Sequence, residues 1–123
     1  MKILIWVFIG GGLGSSFRYL LHLLFKNFNS QYPLATFSAN LIGCLLIGLF
    51  FGILQKLNLL KGDAHFFFIV GFTGGLTTFS SFVLDNLLLF RESSILQPLL
   101  YSTGSVILGI LMVVIGLWIS KLI

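Results

Sequence analysis

Four long apolar stretches alternate with short polar breaks along the 123 residues. The first runs from Ile3 to Phe25 and ends at the polar segment Lys26 to Tyr32, KNFNSQY. The second runs from Pro33 to Leu54 and is followed by Lys56 to Asp63, KLNLLKGD. The third spans Ala64 to Phe90 and is closed by RESS, Arg91 to Ser94; the fourth spans Ile95 to Ile119. Each exceeds the ~20 residues that a helix rising 1.5 Å per residue needs to cross ~30 Å of hydrocarbon. The pattern predicts an all-α membrane protein with four transmembrane helices, one domain over residues 1–123. Pro33 is expected at the first position of the second helix, where its missing N–H leaves no gap. Residues 3–9 have the length of a signal-peptide core. No small-residue cleavage site ends them and the apolar pattern continues past Phe17, so they are expected to belong to a spanning helix.

Composition supports the membrane assignment. The chain is 58% hydrophobic and 8% charged, against about 25% charged in a typical soluble domain. A soluble fold of this length cannot hide that much apolar surface, whereas lipid is its solvent. Seven basic residues against three acidic ones give a net charge of +4. They are scattered, most of them at predicted helix ends, where they suit lipid headgroups. They do not form the clustered basic face of a nucleic-acid binder, so no nucleic-acid partner is expected. Cys44 is the only cysteine, which excludes an intrachain disulfide.

Charge specifies orientation weakly. An even helix number puts both termini and the loop between helices two and three on one side, with Lys2, Lys56, Lys61 and Lys121. The other side has Lys26 and Arg91, plus Arg18 if it snorkels outward. This small excess is compatible with one orientation fixed by other signals, or with insertion both ways and antiparallel pairing. Three glycine pairs, Gly10/Gly14, Gly48/Gly52 and Gly71/Gly75, have the spacing that lets helix backbones approach closely. Packing within one four-helix bundle is enough to account for most of them. Such a bundle leaves no room for a wide pore, so any conduction path is narrow or lies between subunits.

The third helix carries most of the candidate chemistry. Its middle reads GFTGGLTTFSSF, Gly71 to Phe82, with three glycines and Thr73, Thr77, Thr78, Ser80 and Ser81 at mid-membrane depth. Glycine and β-branched threonine both weaken a helix, and this helix is expected to break near its middle. Broken backbone survives in a bilayer only where protein, water or an ion satisfies it. Freed carbonyls would suit a hard monovalent cation. The competing outcome is an unbroken helix whose hydroxyls bond back to the preceding turn. Phe79 and Phe82 share a helical face; their positive ring edges could solvate a small anion in a dry passage, or the rings could simply pack. Asn40, deep in helix two, either offers amide donors to an anion or makes an interhelical hydrogen bond. Arg18 and Asp85 lie about two turns from the same membrane face and either pair or line one vestibule. On helix four, Tyr101 and Ser105 fall on one face, continued by Gly109.

These residues together resemble the Fluc/CrcB family of fluoride channels. The string GFTGGLTTFSSF is similar to that family's third-helix signature, GGLGSSFRY (Gly11 to Tyr19) to its first-helix motif, and PLATFSANLIGCLLIG (Pro33 to Gly48) to its second-helix pattern with a central Asn. The Tyr101/Ser105 face resembles its helix four, so the likeness covers the whole chain in order. It implies a plasma-membrane channel that exports fluoride passively from the cytoplasm, built as a dual-topology homodimer of antiparallel subunits with two fluoride pathways. It also implies a central structural sodium ion held by the backbone carbonyls of Gly74 and Thr77 from both subunits. Asn40, Phe79, Phe82, Thr78, Ser80, Ser81, Tyr101 and Ser105 match the pathway residues, and Arg18 and Asp85 the vestibule. Asp85 stands where the family usually has Glu, and Gly109 where some members have Ser. Some organisms pair two paralogous chains, but this one keeps Asn40, both phenylalanines and the glycine-threonine segment, as a self-sufficient homodimer requires.

No cluster with metal-ligand spacing and no GxSxG, HExxH or P-loop motif occurs, so an enzyme is not expected. Two other classes compete. A small multidrug-resistance-like antiporter is also a four-helix, dual-topology dimer, but it needs an acidic residue in helix one, where this chain has none and Arg18 would repel a cationic drug. A non-transporting membrane subunit would show no ion flux and a stable hetero-complex.

Overall fold

In the computed structural model, which describes residues 1–28, 32–92 and 94–123, the apolar stretches form four helices long and apolar enough to span a membrane. They are Lys2–Phe25, Leu34–Lys56, Asp63–Glu92 and Leu96–Leu122. The predicted breaks Lys26 to Tyr32 and Arg91 to Ser94 lie partly outside the described residues, at positions 29–31 and 93. Pro33 caps the second helix instead of beginning it. Its ψ of 68° is not helical, because the Leu34 N–H turns back to the Tyr32 carbonyl at 2.8 Å while the Pro33 carbonyl already accepts the Phe37 N–H.

Only 11–28% of the most apolar window of each span is buried inside the protomer. The remaining surface exposes Leu, Ile, Val and Phe side chains along the first, third and fourth helices and Phe51 on the second, which water would not tolerate and lipid does. The chain is a multi-pass membrane protein.

Glycine decides how the helices pair. The first helix lies backbone against backbone on the third. A Cβ at Gly10 would strike the Phe67 carbonyl and one at Gly14 the Phe72 carbonyl, while from the other side Gly71 and Gly75 press on Gly10 and Gly11. The second helix does the same with the fourth, Gly48 and Gly52 facing the Val113 carbonyl and Ser120. All three predicted glycine pairs are therefore used inside the protomer, where small residues let dispersion contacts accumulate without a hydrophobic driving force. The small core, Leu21, Ala39 and Leu76 with Ile42, Leu46 and Phe72 around them, sits where the first three helices meet. At one end Lys2 pairs with Asp63 at 2.5 Å. Both are solvent-exposed, so the pair contributes only about 0–1 kcal/mol; it confirms that the first helix begins where the third begins.

The third span is not uniform. A helical turn at Asp63–His65 leads into a wider π-helical stretch, Phe66–Thr73, then a last turn, Gly74–Leu76. The helix stops at Thr77, whose ψ is 155°, and resumes as Phe79–Glu92.

Candidate functional site

Side chains that compete for backbone partners produce the break. In an unbroken helix the Gly74 carbonyl would accept from the Thr78 N–H, and the Thr77 carbonyl from the Ser81 N–H. Neither bond forms. The Thr78 N–H goes to Asn40 Oδ1 at 2.8 Å, and the Ser81 N–H to Thr78 Oγ1 at 3.2 Å. Thr78 thus acts as the N-cap of the second half-helix, and its hydroxyl also meets Ser81 Oγ at 3.2 Å and Ser80 Oγ at 3.3 Å. The expected break forms and the competing unbroken helix does not, although hydroxyls before the break do bond back: Thr77 Oγ1 to the Thr73 carbonyl at 2.9 Å, and Thr73 Oγ1 to that of Ile69.

The Gly74 and Thr77 carbonyls are therefore among those that lose their helical donors. Arg18 Nη1 donates to the Thr77 carbonyl at 3.1 Å, and Ser15 Oγ reaches the Gly75 carbonyl at 3.4 Å. A carbonyl has two lone pairs, so the Thr77 oxygen keeps one. Gly74 is exposed on the protomer, and a side chain there would meet no atom closer than 3.9 Å. Neutral oxygens with spare lone pairs beside open space suit a hard monovalent cation. Among the described residues no His, Cys, Asp or Glu cluster offers an alternative metal site.

Asn40 makes both halves of an amide pair with the break. Besides accepting from the Thr78 N–H, its Nδ2 donates to the Thr78 carbonyl at 3.2 Å. The interhelical bond weighed in the sequence is thus formed, and one amide hydrogen remains uncommitted. Asn40→Ala would leave the N–H of buried Thr78 unpaired, at about 1–3 kcal/mol, and remove the amide's second bond to the Thr78 carbonyl. We expect a clear fall in the thermal midpoint of the detergent-solubilised protein; an unchanged midpoint would show that the amide does not hold the break.

Five of the predicted residues converge on one groove of about 430 Å³: Asn40, Thr78, Phe79, Phe82 and Ser105, with Gly74 and Thr77 in the same wall. Ile47, Ile69 and Val106 supply apolar walls. The groove is open on one flank, because Phe79 is 77% exposed. The two rings lie 6.0 Å apart at 34°. Phe82 is half-buried and stacks on Tyr101 at 5.3 Å, which places Tyr101 beside the groove through its neighbour, not in its wall. Ser81 faces the Arg18 cavity, and Ser80 lies exposed beside Thr78.

Arg18 and Asp85 do not pair. Arg18 is engaged with the Thr77 carbonyl, and the two residues line adjoining cavities of about 270 and 290 Å³ that share His22, Ala35 and Thr36. Asp85 lies beside the Tyr101 hydroxyl.

Sequence reasoning missed Asn86. Its Nδ2 donates to the Phe82 carbonyl at 2.8 Å and its Oδ1 accepts from Ser102 Oγ at 2.7 Å, so it fixes the backbone that carries Phe82 against the fourth helix. An amide inside the apolar run Ala64 to Phe90 was the available signal. His22 and Thr36, which line both vestibule cavities, lacked any pattern that sets them apart.

A family described as "CrcB-like protein, Camphor Resistance (CrcB)" matches residues 5–117. A protein of Flavobacterium psychrophilum named "Fluoride-specific ion channel FluC" is 45% identical over 122 residues, 98% of each chain. Proteins of the same name from Phocaeicola vulgatus and Helicobacter pylori are 38% and 40% identical, covering 98% and 97% of this chain and 100% and 93% of their own.

Proposed function

This chain belongs to the CrcB-like family, and on that premise we propose that it is a fluoride-selective channel of the plasma membrane that lets fluoride leave the cytoplasm down its gradient. The observation that carries the reading is the groove in mid-bundle, where Asn40, Thr78, Phe79, Phe82 and Ser105 meet. It combines hydroxyl and amide donors with aromatic rings and has no cationic side chain in its wall. A small, strongly hydrated anion needs donors to replace its water, yet a full positive charge would trap it; partial charges on N–H, O–H and ring edges serve both needs. Arg18 and Lys26 at the vestibule raise the local anion concentration without entering the groove.

The groove's open flank supports an antiparallel homodimer. Phe79 and Gly74 face away from their own protomer, and a second copy of opposite orientation would close the wall and give two equivalent pathways. Gly74 and Thr77 of both subunits would then hold a structural sodium ion, which supplies a fixed positive charge to the two half-helix ends that meet there. Replacing sodium by a large organic cation is expected to weaken the dimer, read as a shift toward monomer in detergent. A dimer equally stable without sodium would reject the ion site, and a protein that stays monomeric in bilayers would reject the dimer.

The functional test is growth. A fluoride-sensitive bacterium lacking a fluoride exporter is expected to regain millimolar fluoride tolerance when it expresses this chain. Expression in the membrane without any gain in tolerance would sink the proposal.

A further inference from the structure

Hydroxyl groups on the fourth helix fall into two sets. Ser102 bonds to Asn86, Thr103 to the Leu99 carbonyl and Ser120 to the Leu117 carbonyl. Ser105 Oγ is buried with no hydrogen-bond partner among the described residues, and Tyr101 Oη, likewise buried, has only the Asp85 carboxylate beside it. Gln97 Oε1 is in the same condition as Ser105 Oγ. Gln97, Tyr101 and Ser105 are spaced four apart, so they stack on one helical face about 6 Å from rung to rung. Most buried polar atoms in folded proteins have a partner. Gln97 and Ser105 without one, in register with Tyr101 on a single face, while polar groups on other faces of the same helix are satisfied, mark a face open to a polar partner from outside the chain.

The two ends of this face differ. Ser105 lies in the groove wall. One turn further, Gly109 is buried against Cys44, and the polar series stops. Toward the other end, Tyr101 stands between the Phe82 ring and the Asp85 carboxylate. Gln97 lies in the first turn of the helix, at the vestibule end. An amide offers both donors and an acceptor, so it can bind an anion through N–H and the waters the anion sheds through C=O.

We propose that Gln97 is the outer rung of the ion path, the side chain that begins to exchange fluoride's water for protein donors before the ion reaches Tyr101 and Ser105. This rests on the fluoride reading above and adds a residue to it.

The test is Gln97→Met, close in length and without a polar group, reconstituted in liposomes beside the wild type. Fluoride flux is expected to fall roughly fivefold or more, the factor given by losing one hydrogen bond of typical strength. The thermal midpoint is expected to hold or rise, because an unpaired polar atom has been removed. Gln97→Glu, which puts a negative charge on the path, is expected to lower flux further. Wild-type flux in Gln97→Met would overturn the outer rung alone. A lowered midpoint in Gln97→Met would show that the amide is a bonded packing group and would also overturn it. Background flux in the wild type would overturn the fluoride reading and the rung together.

Discussion

Phe82→Ile is expected to abolish most fluoride flux while leaving a folded dimer. Isoleucine keeps much of the volume and all of the apolarity, so a side chain that only packs would tolerate the change at below about 1.5 kcal/mol. The ring edge is what it lacks. A cation over a ring face gains about 2 kcal/mol in desolvated sites; a comparable gain for an anion at the oppositely signed ring edge is more than tenfold in rate if it is lost from the barrier. Phe82 is also the ring in contact with Tyr101, so its loss frees Tyr101 from one wall. Phe79→Ile is expected to reduce flux as well, but with smaller consequences for the protomer's own stability, because Phe79 is 77% exposed there. Proteoliposome flux beside size-exclusion profiles separates the two effects. Full flux in both variants with intact dimers would exclude a role for the rings in ion passage.

The second large effect is structural. Gly14→Ala is expected to prevent correct packing of the first and third helices. The new Cβ would collide with the Phe72 carbonyl and crowd the Leu76 N–H at 2.8 Å, and both are backbone atoms that no rotamer change can move. Overpacking of this kind costs about 1–3 kcal/mol even where side chains can yield. Separation of the two helices would also pull Arg18 from the Thr77 carbonyl and Ser15 from that of Gly75, so the break would lose its support from the first helix. Gly12→Ala is the comparison, since nothing lies within 4 Å of that position in the protomer. Thermal midpoints in detergent should fall far more for Gly14→Ala than for Gly12→Ala. Equal midpoints would contradict the backbone contact described between these helices.

How much of this was legible in the sequence depended on how local the cause was. The four spans follow from apolar run length, and their ends move by a few residues at most. The break was legible as a tendency, from glycine and threonine density. Its position was not, because Asn40 and Thr78 set it by taking the N–H groups that Gly74 and Thr77 would have received, and Asn40 lies 38 residues from its partner. The glycine spacing announced close approach but not with whom; only the fold matches Gly10/Gly14 to Gly71/Gly75. Arg18 and Asp85 could be placed at one end by counting turns, but counting could not show that the Thr77 carbonyl captures the guanidinium. Asn86 was overlooked because it sits beside Asp85 in a run otherwise read for its apolar character, and its importance comes from two contacts, one local and one to the fourth helix.

The central claim is selective fluoride passage. Its most direct measurement is fluoride efflux from liposomes that contain the purified chain and are loaded with fluoride, followed with a fluoride electrode while a potassium ionophore dissipates the membrane potential. Rapid efflux of fluoride is expected, with chloride retained under the same conditions. Efflux no faster than from protein-free liposomes, or equal release of chloride, would contradict it.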